Sequence, residues 1–143
     1  MYIDYCAKET ALVVSAGDDE RLTDQLFIRW SEGYYRATEY HFANVGVAGS
    51  GLRPDSAGYR VTEYLYSDTP VISSGSTEPM TAAKAARYLV RWVAGHLSPD
   101  DLCYARYYSW RTRRGEYRAY GRGGHLLDSD EAAWLLSPLS RLE

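Results

Sequence analysis

Between Tyr104 and Arg122, six arginines (Arg106, Arg111, Arg113, Arg114, Arg118 and Arg122) are interleaved with six aromatic residues (Tyr104, Tyr107, Tyr108, Trp110, Tyr117 and Tyr120), and Glu116 alone opposes their charge. Guanidinium groups beside flat rings can hold phosphates and stack bases. The same residue types anchor protein–protein contacts. The plainest use is a charged turn and sheet edge that deters aggregation. The functional expectation is a protein partner held by Arg111, Arg113, Arg114, Arg118, Tyr117 and Trp110. Nucleic-acid binding is the alternative, disfavoured because the chain carries a net charge of −3.

A second pattern is a near-repeat. Tyr35-Arg36-Ala37-Thr38-Glu39-Tyr40 returns as Tyr59-Arg60-Val61-Thr62-Glu63-Tyr64. Strand alternation puts every second side chain on one face. Arg36, Tyr40, Arg60 and Tyr64 thereby form a second candidate surface, and Glu39 and Glu63 fall on the other face. Two carboxylates at matching positions, with His41 close by, could do acid–base work in a small enzyme or ligand-binding domain. A cross-strand polar pair on a solvated face is the simpler expectation.

Other chemistry is missing from the sequence. Gly46-Val47-Ala48-Gly49-Ser50-Gly51 lacks the order of a dinucleotide fingerprint, and the two lysines, Lys8 and Lys84, supply no P-loop. His41, His96 and His125 have neither ligand spacing nor a neighbouring cysteine pair. No metal, no cofactor and no catalytic set is expected, and the chain is read as a non-enzyme. Asp18-Asp19-Glu20 could mimic phosphate, but acids at that spot suit a helix start.

Bulk features narrow the class. The 143 residues suit one domain spanning 1–143. Tyrosine, with 14 copies, outnumbers Trp and Phe together, and it is enriched where proteins touch. Charge is uneven: 11 acidic and 6 basic residues lie between Met1 and Asp68, against 9 basic and 3 acidic between Lys84 and Arg122. Cys6 and Cys103 make neither a disulfide framework nor a zinc set, and suit a reducing compartment. The first residues lack a signal-peptide pattern, and no apolar run is long enough to span a membrane. A cytoplasmic protein with no membrane partner is expected.

The elements that would position these residues alternate in type. Met1–Cys6 and Ala11–Ala16 read as paired strands. Leu22, Leu26 and Trp30 fall at i, i+4 and i+8, which predicts a helix opened by Asp18–Glu20 and closed by Gly33. Tyr34–Phe42 and Tyr59–Tyr66 read as strands around a loop over Ala43–Gly58, and Pro70–Ser73 as a short strand. Ser76-Thr77-Glu78-Pro79 looks like the start of an alanine-rich helix carrying Leu89, Val93 and Leu97. Over 102–114, the helical spacing of Cys103, Tyr107 and Trp110 competes with a strand-favouring composition. Arg113–Glu116 reads as a turn into a strand at Tyr117–Tyr120. Asp128 with Glu131 predicts a capped helix over Ser129–Leu136, stopped by Pro138 before a loose tail. The sum is an α+β single domain, a largely antiparallel sheet with two to four helices packed on one face.

Two partial resemblances follow from these motifs. Val61–Tyr66, Thr69-Pro70, the alanine helix Thr81–Gly95 and the strand after it are similar in order to the later half of small bacterial immunity proteins that neutralise toxins. Gly33-Tyr34-Tyr35, Asn44 with Gly46, Pro54-Asp55, Met80-Thr81 and Tyr107-Tyr108 resemble antirestriction proteins of the ArdB/KlcA type, whose long N-terminal aromatic segment is lacking here. Each resemblance covers about half of the chain. Both imply a small protein that neutralises another macromolecule without doing chemistry. A counter-defence inhibitor of the antirestriction or anti-CRISPR sort is the leading expectation, ahead of a toxin-immunity protein.

Overall fold

The computed structural model describes residues 1–17, 22–42, 54–55, 58–59, 71–97, 102–109, 114–120 and 127–141, with the backbone alone for 54–55, 58–59, 109, 114–117 and 119–120. Four strands, β1 (Tyr2–Cys6), β2 (Ala11–Gly17), β3 (Leu22–Ser31) and β4 (Tyr34–Phe42), run as an antiparallel meander. A two-residue ladder joins β5 (Pro54–Asp55) to β6 (Gly58–Tyr59). Strand β7 (Val71–Ser76) pairs antiparallel with β4, and helix α1 (Ala82–His96) then leads to β8 (Cys103–Ser109), which pairs parallel with β1. The hairpin partner β9 (Arg114–Tyr120) completes a mixed sheet of order β7-β4-β3-β2-β1-β8-β9. Helix α2 (Ser129–Leu136) and a 3-10 turn at Ser137–Arg141 follow. The expected α+β class holds, with one parallel pairing in an otherwise antiparallel main sheet.

Residues 22–31 correct the sequence reading. They form β3, not a helix. A spacing of four is close to one helical turn and is also even, so Leu22, Leu26 and Trp30 satisfy both periods. The residues between them decide. Leu26 and Ile28 join the main core while Phe27 joins a cluster on the opposite face, which is strand alternation with both faces used. Gly33 accordingly ends no helix. Glu32 and Gly33, with φ of 55° and 86°, make the two-residue hairpin turn between Ser31 and Tyr34. Such turns require positive φ at both central residues.

Three smaller corrections follow. The cap of α1 is Thr81, whose hydroxyl accepts from Lys84 N–H at 3.4 Å, so the helix starts beyond the Ser76–Pro79 signal. Ser76 belongs to β7, and Met80 bridges to Tyr35 with backbone bonds of 2.6 and 2.9 Å. The segment after Leu102 is strand, and β9 begins at Arg114, inside the expected turn. The tail, expected to be loose, forms a 3-10 turn over Ser137–Arg141 and is packed through Pro138 and Leu139, which are buried. Helix α2 starts as its capping pattern predicts, with Glu131 N–H donating to Asp128 Oδ1 at 2.8 Å.

The main core lies between the helices and one face of the sheet. Ile3, Leu12, Val14, Leu26, Ile28, Ala37 and Ala105 meet Ala85, Leu89 and Val93 of α1 and Ala132, Leu135 and Leu136 of α2. Two tyrosine hydroxyls tie α2 down by carbonyls of its last turn: Tyr5 donates to Leu135 O at 2.6 Å and Tyr35 to Leu136 O at 3.3 Å. Cys6 and Cys103 are unpaired and sit in clusters on opposite faces of the sheet. Among the described residues, no helix is long and apolar enough to cross a membrane.

Candidate functional site

The sheet carries two polar features, one near each edge. At the β7 edge, Asp24 of β3, His41 of β4 and Ser73 of β7 are directly opposite one another in register. Nδ1 of His41 lies 2.8 Å from Asp24 Oδ1, the geometry of an imidazole N–H donating to a carboxylate. The β4–β7 ladder is irregular between His41 and Phe42, and irregularities of this kind re-aim side chains.

Two residues along β4, Glu39 points to the same face and meets α1. Trp92 Nε1–H donates to Glu39 Oε1 at 2.8 Å, and the Tyr88 hydroxyl donates to Glu39 Oε2. Partial burial, then the hydrogen bond to the Glu39 carboxylate, push the Tyr88 phenol up to about 12. The Trp92 indole stacks on the His96 ring at 3.8 Å, and His96 Nδ1 is 2.8 Å from Trp92 O. Asp24, Glu39, Tyr40, His41, Ser73, Ser74, Gly75 and Trp92 together line an open pocket of about 350 Å³.

The alternative reading as a small enzyme or ligand-binding domain grouped Glu39, Glu63 and His41 in a pocket, and Glu39 and His41 line this one. Their intended companion Glu63 lies outside the described residues. Arg36 is exposed on the opposite face of β4, across from Arg29, which is paired with Glu9 at 3.3 Å. Tyr40 packs edge-on against Phe27 at 5.3 Å, so its ring is partly committed to the sheet face away from the main core. Arg60 and Tyr64 lie outside the described residues, which leaves the second candidate surface with Arg36 and Tyr40.

At the other edge, Arg118 and Arg106 are the members of the arginine cluster whose side chains are described, and Arg118 is the one stacked on aromatic rings. Its guanidinium lies 4.5 Å over the Tyr107 ring and 5.7 Å from the centre of Trp134 on α2. The two rings are 5.0 Å apart, and Tyr107 donates to Glu131 Oε2 at 3.5 Å. Burial, followed by the nearby Glu131 charge, pushes the Tyr107 phenol up to about 12. Trp134 remains 54% exposed. Arg114 and Tyr117 are placed on β9 by backbone alone, opposite Ser109 and Arg106. Arg111, Arg113 and Trp110 lie outside the described residues. Arg106, on β8, turns instead to the buried Asp4 at 3.4 Å.

The sequence reading missed Asp24, Tyr88, Trp92 and Trp134. Asp24 was hidden by the helical reading of β3. Trp134 carried a legible signal: it stands off the buried stripe of Ala132, Leu135 and Leu136, so a large ring was being placed on the outer side of α2. Among the described residues, no three His, Cys, Asp or Glu side chains are grouped to hold a metal ion. No family model, curated protein or solved structure matches the chain.

Proposed function

We propose that this chain is a non-enzymatic inhibitor that captures a protein or complex of a bacterial defence system in the cytoplasm, as antirestriction and anti-CRISPR proteins do. The observation that supports this reading is the Arg118–Tyr107–Trp134 stack. Arginine, tyrosine and tryptophan dominate binding hot spots because they present large, stiff contact area with a polar tip. Here the guanidinium is held by two rings, with one ring largely in solvent. An ordered cation over an exposed indole loses less side-chain entropy on docking than a free arginine does. Neutralisation of a toxin would use the same surface on a different partner.

The test is capture from a nuclease-treated lysate of a bacterium that carries restriction and CRISPR systems. The tagged protein is expected to retain one protein or complex in near-stoichiometric amount. Arg118→Glu with Trp134→Ala should release it, and Arg36→Ala should not. Retention unaffected by the double change would place the contact elsewhere. Retention seen only without nuclease would move the reading to nucleic acid.

A further inference from the structure

Strand β7 is the outermost strand at its end of the main sheet, and all six of its residues are exposed, with Val71 at 49% and Ile72 at 63%. The segment Val71-Ile72-Ser73-Ser74-Gly75-Ser76 contains no charge and no proline. Sheet edges are normally blunted by lysine, proline or a covering element. Among the described residues, nothing pairs with the outer side of β7.

The ladder fixes which backbone groups are free to pair. Thr77 N–H donates to Ala37 O at 2.9 Å, and Glu39 pairs with Gly75 in the same register. Alternation along an antiparallel pair then turns the N–H and C=O of Ser74 and Ser76 away from β4. These groups can receive one further strand.

The pocket behind the edge says what that strand carries. A Cβ at Gly75 would have nothing within 4 Å, so the surface above Gly75 is open, directly beside its cross-strand partner Glu39. The two donors that hold the Glu39 carboxylate, a phenol and an indole, are neutral. They fix the carboxylate in place without cancelling its charge. Asp24 adds a second carboxylate, and among the described residues that line the pocket His41 is the one basic side chain. The lining therefore complements a cation. A side chain on an added strand opposite Gly75 must pass over β7, one strand spacing of about 4.8 Å, to reach toward the Glu39 carboxylate of β4, which lies a second spacing beyond. Lysine and arginine are long enough to do this, and their alkyl stems can lie over the bare glycine.

We propose that the outer edge of β7 takes an extended segment of a partner protein as an added strand, with an arginine or lysine laid over Gly75 toward Glu39 and Asp24. This surface lies at the opposite edge of the sheet from Arg118, so the two surfaces stand or fall separately. Backbone pairing supplies affinity in such complexes and the side-chain pocket supplies selectivity.

The experiment is fluorescence anisotropy with a labelled nonapeptide of alternating threonine and valine and a central arginine. Saturable binding is expected, weakened about tenfold or more when glutamate replaces the central arginine. Gly75→Val fills the open space and should reduce the preference for arginine over glutamate while the protein stays folded by circular dichroism. Ser74→Pro removes an outward N–H and should abolish binding of both peptides, since proline is tolerated where the N–H of an edge strand faces solvent. Equal binding of the arginine and glutamate peptides would overturn the proposal, as would no binding of either at millimolar concentration. Self-association of the wild type that Ser74→Pro abolishes would assign the edge to a second copy of this chain and overturn it too.

Discussion

Trp92 of α1 and Glu39 of β4, 53 positions apart in the chain, are joined by an indole-to-carboxylate hydrogen bond of 2.8 Å. With Tyr88, this contact fixes the first long helix against the β4 side of the sheet and forms one wall of the pocket. Glu39 is itself exposed, whereas Trp92 is buried. Losing the carboxylate therefore leaves a buried donor without its acceptor.

Glu39→Ala is expected to destabilise the fold by about 1–2 kcal/mol, the usual cost of leaving a buried N–H without its acceptor. Urea denaturation followed by tryptophan fluorescence measures it. A change within a few tenths of a kcal/mol would mean that water replaces the carboxylate fully.

Alkaline pH should unfold this protein through its tyrosines and Cys103. Burial first, then nearby carboxylates, raise the Tyr88 and Tyr107 phenols from 10.0 to about 12, and burial raises the Cys103 thiol from 9.0 to about 11. Burial also pushes the Tyr5 phenol upward. Groups with raised folded values hold their protons more tightly when folded. Their stabilisation is complete below the unfolded values and is lost as pH rises through the folded ones. Stability should decline from about pH 9 and fall steeply between pH 10 and 12. Denaturant midpoints across that range, with absorbance at the phenolate band, provide the check.

The two thiols should differ in reactivity. Cys103 is buried and its thiol is pushed up to about 11, so little thiolate is present near neutral pH. Cys6 is only partly buried. A disulfide reagent at pH 8 is expected to label Cys6 first and Cys103 only as the protein unfolds. Equal rates would show that the cluster around Cys103 opens readily.

Gly33→Val places a β-branched residue at a φ of 86°. The strain should cost about 1–2 kcal/mol and loosen the β3–β4 hairpin. Thermal melts measure the loss, and amide exchange along 22–42 localises it.

Much of this fold was legible because local signals agreed with one another. The alternation in Tyr34–Phe42 gave β4 its bounds, and the Asp128–Glu131 cap gave α2 its start, since both depend on near neighbours alone. The alanine-rich stretch gave α1, although the cap lies at Thr81, where the chain has already bridged to Tyr35. Residues 22–31 failed because a four-residue spacing serves two periods, and only burial on both faces chose between them.

The site divides in the same way. By itself the sequence determined which residues have useful chemistry: Arg118 among aromatics, and Glu39 and His41 on one face of a strand. Tertiary structure alone decided their company. Cross-strand register set Asp24 against His41 and bare Gly75 against Glu39, and helix packing brought Tyr88 and Trp92 to the carboxylate and Trp134 to Arg118. The physical reason is range. Propensity, alternation and capping act over a few residues, whereas register and packing follow from burying the apolar face of every element at once.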